Sequence, residues 1–119
     1  KLAGVLSDTF LNDEDTFILV SGDLSHVGKK FGDEPAASAM IEQVNAFDQE
    51  FLDIAAENRE EDLLKLMKSN FDAYRICGFS PLMSLMKAMP DLKGKRVSYD
   101  VWDEKERESA VTFGSILYS

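Results

Sequence analysis

A short apolar run, Thr16 to Val20, constrains the fold more than any other feature of the 119-residue chain. Its letters, TFILV, bring together phenylalanine, isoleucine and valine with no alternation of polar and apolar side chains. This pattern is typical of a strand that is covered on both faces, in a parallel or mixed sheet. We therefore predict an α/β fold with a three-layer-type sheet and flanking helices. We expect this strand to end at the carboxyl edge of the sheet.

Apolar residues at helical spacing predict a helix before this strand and a long helix after it. The first helix covers Leu2 to Leu11. The long helix follows Pro35, with Asp33 or Glu34 as its cap. Its polar residues, including Asp48, are predicted to lie largely off the apolar stripe. That stripe consists of Ala37, Met40, Ile41, Val44, Phe47, Phe51 and Ile54.

Two shorter helices and two strands complete the predicted order. One helix lies in NREEDLLKLMKSN, and Ser80 with Pro81 opens the other. Their inward residues are predicted to be Leu63, Leu64 and Met67 in the first, and Leu82, Leu85, Met86 and Met89 in the second. The strands contain Val97, Tyr99 and Val101, and then Val111, Phe113, Ile116 and Leu117. Gly114 in the last strand indicates a bulge or a close backbone approach.

The composition narrows the possible functions. With 45% hydrophobic residues the chain can bury one ordinary core, so we interpret residues 1–119 as a single unit. The net charge of −9 argues against a nucleic-acid partner, because it repels phosphate backbones. A single cysteine, no long apolar segment and no leader sequence favour a cytoplasmic protein without a membrane anchor. Helical spacing that starts directly at Lys1, which is not an initiator methionine, leads us to expect a fragment.

The stretch SGDLSH after the predicted strand holds the only histidine, His26, three residues after Asp23. A carboxylate beside an imidazole on a turn can ligate a metal, orient the imidazole or join it in proton transfer. Alternatively, Asp23 caps the following turn and His26 is a half-exposed loop residue. The residues alone leave both interpretations open.

Cys77, in RICGFSPL, also allows two interpretations. A thiol just before Gly78 and the start of a helix could be stabilised as a thiolate and act as a ligand or nucleophile. Free cysteines are also among the most buried residue types, so composition alone favours Cys77 as a small hydrophobic residue at the helix entrance.

Several blocks of the chain, taken in order, resemble the Memo family. ILVSGDLSHVG looks like the strand and turn of that family, and ICGFSPL, VSYD and SAVTFGSILY resemble its later segments. Memo proteins are similar in fold to the class III extradiol dioxygenases, which are non-haem iron enzymes. The resemblance implies that these 119 residues are the carboxyl-terminal half of a larger Memo-like, extradiol-dioxygenase-like α/β domain.

The resemblance assigns roles to three residues. His26 resembles the acid-base histidine of the dioxygenases, which in Memo proteins lies beside the metal pocket, and Asp23 matches the Memo aspartate three residues earlier. Cys77 matches the Memo cysteine that replaces a metal-binding glutamate of the dioxygenases. Because a thiolate is softer than a carboxylate, this exchange favours copper or zinc over iron. Val27 departs from the aromatic residue often found after this histidine.

The resemblance also implies an incomplete site. The family has further metal-site histidines in its amino-terminal half, whereas this chain contains only His26. We therefore expect Asp23, His26 and Cys77 to contribute to a copper, iron or zinc site whose other ligands are absent from this chain, and we expect the chain alone to be inactive.

Two functions from different classes remain open. In the first, the whole protein is a metal-dependent, dioxygenase-like oxidoreductase that acts on a small molecule, with Asp23 and His26 as its catalytic residues. In the second, it is a non-catalytic binding module that recognises a peptide or protein partner. Bacterial and archaeal relatives belong to the AmmeMemoRadiSam group, which implies a radical S-adenosylmethionine protein as a partner.

Overall fold

The computed structural model describes Gly4, Val5 and residues 17–119. The predicted helix from Leu2 to Leu11 lies outside these residues, except for Gly4 and Val5, which are helical. Residues 17–119 form three α-helices and three strands: β1 (His26–Gly28), α1 (Ala37–Ala56), α2 (Glu60–Ser69), α3 (Phe79–Ala88), β2 (Gly94–Glu104) and β3 (Ser109–Tyr118). None of the helices in this part of the chain is both long and apolar enough to cross a membrane.

The strands form one sheet in the order β1-β3-β2, and both pairs are antiparallel. Val27 is opposite Ala110 in the first pair, and Tyr99 is opposite Gly114 in the second. The mixed α/β class is therefore confirmed. Helix α1 packs against all three strands, so it covers one face of the sheet.

The predicted strand from Thr16 to Val20 is wrong over the part that the structure describes. Phe17 to Val20 have no strand conformation, and Phe17 and Leu19 are 80% and 78% exposed. The strand begins later, at His26, because that segment pairs with β3. A strand is stabilised by its neighbours, which a local apolar pattern does not identify. The polar turn therefore precedes β1 and does not lie at its carboxyl end.

Helix α1 confirms the predicted long helix but corrects its details. Its first residue is Ala37, and the N–H of Ala37 donates to the Glu108 carbonyl at 2.9 Å. No side chain caps this end, so the predicted capping role of Asp33 or Glu34 is wrong. Asp48 is fully buried, which contradicts its predicted place off the apolar stripe. Its position four residues after Val44 and four before Leu52 places it on the buried face.

The remaining elements follow the prediction closely. In α2, Leu63 and Met67 are buried, whereas Leu64 is 39% exposed and not inward as predicted. Helix α3 begins at Phe79, one residue before the predicted start, and buries Met86. Gly114 lies at a close approach, since a Cβ there would be 2.9 Å from the Ser98 carbonyl oxygen. The irregularity of the ladder lies in β2, between Arg96 and Ser98.

Candidate metal site

Asp23, His26 and Cys77 lie together at the start of β1. Each offers one ligand atom, and these three atoms lie within 4.8 Å of one another. Cys77 is separated from Asp23 by 54 positions, so only the folded chain brings them together. A carboxylate oxygen, an imidazole nitrogen and a sulfur thus converge at one place on the surface.

Two hydrogen bonds donated by backbone N–H groups hold the Cys77 segment against the turn that carries Asp23. The N–H of Asp23 donates to Cys77 Sγ at 3.1 Å, and the N–H of Gly78 donates to the Asp23 carbonyl at 2.9 Å. The two segments touch at a pair of glycines, because a Cβ on Gly22 would lie 2.6 Å from Gly78 Cα. Side chains at either glycine would push the thiol away from the carboxylate.

The hydrogen bonds of His26 determine its tautomer. Its Nδ1 lies 2.8 Å from the carbonyl oxygen of Arg75 and 3.1 Å from that of Leu24. Because both partners can only accept, Nδ1 carries the proton and donates. In the neutral ring, Nε2 then has a free lone pair. Metal-binding histidines are held in the same way, with the other ring nitrogen donating to a carbonyl or carboxylate.

The free lone pair of His26 points at a second acceptor. Nε2 lies 3.8 Å from Asp23 Oδ2, so two electron-rich atoms face each other. Such an arrangement suits a cation or a proton placed between them. No capping hydrogen bond from the Asp23 side chain is found among residues 17–119, and His26 lies in a strand with its side chain 20% exposed.

Cys77 is exposed, which contradicts the interpretation of this residue as a small buried hydrophobic side chain. Asp23 is also exposed, with 52% of its side chain accessible. The ring of His26 is the most enclosed part of the site, and Phe31 contacts its edge at 5.4 Å between ring centres. The site is therefore open to solvent, and His26 is its least exposed residue.

A buried carboxylate on α1, Asp48, is hydrogen-bonded to the segment that carries the site. Asp48 accepts hydrogen bonds from the hydroxyls of Ser25, Tyr99 and Thr112 at 2.7, 2.7 and 2.6 Å. Burial raises the pKa of Asp48 above its ordinary value, although these hydroxyl bonds oppose the shift. Ser25 lies between Asp23 and His26 in the chain, so α1 is tied directly to the site. Sequence reasoning missed this network, although the spacing from Val44 to Asp48 to Leu52 was a usable signal.

Arg75 and Asp33 form a second support that sequence reasoning missed. The guanidinium donates to both carboxylate oxygens of Asp33, at 3.1 and 3.2 Å, and to the His26 carbonyl at 3.1 Å. The hydrogen bond from Arg75 lowers the pKa of Asp33 below its ordinary value, against the effect of burial. No local pattern indicates this pair, because 42 positions separate its members.

Comparison with known proteins places the chain in a family. The family described as Memo-like protein matches residues 1–117. This chain belongs to the Memo family. It is 29% identical over 121 aligned positions to a MEMO1 family protein of Aquifex aeolicus, with 99% of the chain and 30% of that protein covered. It is 32% identical over 107 positions to a MEMO1 family protein of Thermus thermophilus, with 90% of the chain and 32% of that protein covered.

The chain spans about a third of the length of these two Memo-family proteins. Val27, where the sequence departs from the aromatic residue often found in the resembled family, is fully buried beside Ala110 and Val44. Its side chain therefore belongs to the core, and the aromatic contact to His26 comes from Phe31.

An apolar cavity of about 440 Å³ adjoins the cluster of Asp23, His26 and Cys77. Gly22, Asp23 and Gly78 contribute to its wall, so the segment that carries the carboxylate borders both the cavity and the three-residue cluster. Much of the remaining wall is apolar, and includes Leu52, Leu82, Leu85, Met89 and Ile116. A cavity of this size is in the range that holds small organic molecules.

Proposed function

We propose that Asp23, His26 and Cys77 hold a transition metal in a Memo-family oxidoreductase that acts on a small molecule. The observation that carries the proposal is the free lone pair on His26 Nε2, which faces the Asp23 carboxylate at 3.8 Å. Cys77 Sγ completes a set of three donors within 4.8 Å. Asp23 and Cys77 are both exposed, so neither side chain is fixed by packing in the core.

The donor set favours a particular kind of metal. One imidazole, one carboxylate and one thiolate form a mixed set that suits zinc, copper or iron, and that suits calcium or magnesium poorly. A bound ion of this type would supply Lewis acidity or one-electron redox chemistry. Further ligands from elsewhere in the whole protein would complete the site, since both curated relatives are about three times as long as this chain.

His26 and Asp23 are also suited to move a proton. The neutral ring can accept a proton at Nε2, and the Asp23 carboxylate lies 3.8 Å from that atom. The carbonyls of Arg75 and Leu24 would keep the ring in place throughout, because they accept from Nδ1 in both protonation states. The pair can therefore serve as an acid and base for a molecule bound at this surface.

The neighbouring cavity supports a small-molecule substrate with an apolar part. Its wall includes Asp23, so a molecule that fills it would reach the carboxylate side of the site. A radical S-adenosylmethionine partner stays a prediction from the resemblance.

Metal binding in parallel samples tests this proposal. We would titrate zinc, copper and iron salts into the 119-residue chain and into the whole Memo-family protein of Thermus thermophilus, and measure affinity by calorimetry. Tight binding by the whole protein and weak binding by the chain is the expected result. In the chain, His26→Ala and Cys77→Ser should each lower the affinity by at least about tenfold.

Asp103→Asn is the control, because Asp103 is exposed on β2 and lies outside the cluster. An affinity for all three metals that is the same in His26→Ala, Cys77→Ser and the control would contradict the metal site. Stoichiometric tight binding by the chain alone would contradict the need for further ligands. Turnover is then measured in the whole protein with and without oxygen. Retained partner binding with no turnover under any metal would favour the binding module.

A further inference from the structure

We propose that Arg75 and Asp33 are positioning residues that hold His26 in its Nδ1–H tautomer, with Nε2 turned toward Asp23 and Cys77. Below, the pair is called the clamp. The inference rests on the proposed function for its purpose, but the tautomer itself is measurable without a metal.

The backbone of Arg75 provides the first part of the argument. Its carbonyl oxygen is the nearer of the two acceptors of His26 Nδ1, at 2.8 Å against 3.1 Å for the Leu24 carbonyl, so the orientation of the Arg75 peptide group helps to select the tautomer. Arg75 has φ +56°, in the left-handed region that side-chain-bearing residues seldom adopt. Such a conformation persists only where neighbouring contacts hold it. Here the Arg75 N–H donates to the Asp72 carbonyl at 3.1 Å, and the Arg75 guanidinium donates to Asp33 and to the His26 carbonyl.

The side chain of Arg75 closes a ring of hydrogen bonds around His26. One guanidinium nitrogen donates to the His26 carbonyl at 3.1 Å and to Asp33 Oδ2 at 3.2 Å, while the other donates to Asp33 Oδ1 at 3.1 Å. Asp33 Oδ2 also accepts the N–H of Gly28 at 2.9 Å. The clamp thus grips the carbonyl of His26 and the N–H two residues later, while the Arg75 carbonyl holds the ring.

The geometry requires an arginine in particular. A planar fork of donors can serve two carboxylate oxygens and one carbonyl at the same time, whereas a lysine ammonium is a single point of charge. Arg75 is also two residues from Cys77, and the N–H of His26 donates to the carbonyl of Tyr74 at 2.7 Å. The clamp therefore joins the segment of the thiol to the strand of the imidazole.

An ordinary structural ion pair would stabilise the fold without selecting a tautomer of His26. Measuring the tautomer therefore distinguishes a structural role of the Arg75–Asp33 pair from a positioning role. The chain has a single histidine, and labelling with ¹⁵N-histidine therefore produces one pair of ring signals. In alkaline buffer the neutral ring should show a protonated Nδ1 and an unprotonated Nε2. In Arg75→Ala, the two nitrogen shifts should converge as the ring samples both tautomers.

Arg59→Ala is the matched control, because the Arg59 side chain also pairs with two carboxylates, Glu57 and Asp62, and neither of them belongs to the site. It should leave the ring signals unchanged. Arg75→Lys and Asp33→Asn are milder variants for the case in which Arg75→Ala does not fold, and each should produce a partial convergence. Zinc affinity measured on the same samples should fall by about tenfold in Arg75→Ala, the scale expected for a residue that orients a ligand.

Ring signals that are identical in the wild type and in folded Arg75→Ala, Arg75→Lys and Asp33→Asn would overturn the clamp. That result is distinct from failure of the proposed function. If the signals converge in these variants while zinc affinity is insensitive to His26→Ala, the clamp is supported and the metal site is contradicted. If zinc binding depends on His26 while the signals never converge, the metal site is supported and the clamp is contradicted.

Discussion

The Nε2 atom of His26 lies 3.8 Å from Asp23 Oδ2, although neither atom has a hydrogen to donate when the ring is neutral. Two acceptors at this separation repel each other weakly unless a positive charge lies between them. The hydrogen bonds around the two residues therefore hold these atoms in place. A cation or a proton between the atoms would stabilise the arrangement.

Removal of the Asp23 charge should weaken metal binding. In Asp23→Asn the carboxylate is replaced by a neutral amide of the same shape, so affinity for zinc should fall by about tenfold or more. Calorimetric titration measures this change, with Asp103→Asn as the control. Equal affinities in the two variants would exclude Asp23 as a ligand.

Asp48 should contribute strongly to stability. In Asp48→Ala the hydroxyls of Ser25, Tyr99 and Thr112 lose their acceptor inside the protein, at a cost of about 1 to 3 kcal/mol for each unsatisfied group, although these costs do not simply add. We expect a loss of about 3 kcal/mol or more in urea unfolding. Asp48→Asn keeps one acceptor and should lose less.

Asp53→Ala provides the comparison on the same helix. Asp53 is 60% exposed and pairs with Arg96 at the surface, so the loss should be below about 1 kcal/mol. Equal losses for Asp48→Ala and Asp53→Ala would show that the buried network adds nothing.

The Arg75–Asp33 pair should lose its stabilising effect in acid. The pKa of Asp33 is lowered in the folded chain, chiefly by the hydrogen bond from Arg75, so the folded state binds a proton less readily than the unfolded chain. The contribution is present above the unfolded aspartate pKa of about 3.9 and disappears as pH falls through the lower folded value.

Urea unfolding of the wild type and Asp33→Asn from pH 7 to pH 3 measures this effect. Because Arg75 is 40% exposed, solvent screening limits the difference at pH 7 to about 1 kcal/mol. The difference should shrink toward pH 3. A difference that stays constant over the whole range would contradict the role assigned to the ionised Asp33.

The close approach of Gly22 and Gly78 should control the position of the thiol. Gly22→Ala would place a Cβ 2.6 Å from Gly78 Cα, which forces the two segments apart. Cys77 is the only cysteine, so its rate of reaction with a thiol reagent in the native protein reports on this site alone. The rate should change in Gly22→Ala.

Gly4→Ala is the control for this substitution, because none of the residues that the structure describes has an atom within 4 Å of a Cβ at Gly4. It should leave the reaction rate of Cys77 unchanged. An equally unchanged rate in a folded Gly22→Ala variant would show that the glycine contact does not set the position of the thiol.

Local sequence patterns predicted most of the helices and strands of this protein. Helical spacing predicted α1, α2 and α3, and alternation predicted β2 and β3, because each pattern reflects one buried face of a regular element. The resemblance in several ordered blocks led to the Memo family, which the comparison confirms. The same blocks brought Asp23, His26 and Cys77 together as one predicted cluster, and the structure shows them within 4.8 Å.

Other features depended on contacts between distant segments, which only the tertiary structure decides. Phe17 to Val20 has the composition of a buried strand, yet β1 begins at His26 because that is where β3 offers hydrogen bonds. Asp48 is buried because three hydroxyls from other elements reach it, and an isolated helical pattern cannot show partners that lie up to 64 positions away. The tautomer of His26 likewise depends on the carbonyl of Arg75, 49 positions along the chain. The sequence by itself therefore determined which three residues are candidate ligands. The packing of remote segments decided that Nε2, and not Nδ1, is the nitrogen of His26 that is free to bind a metal or a proton.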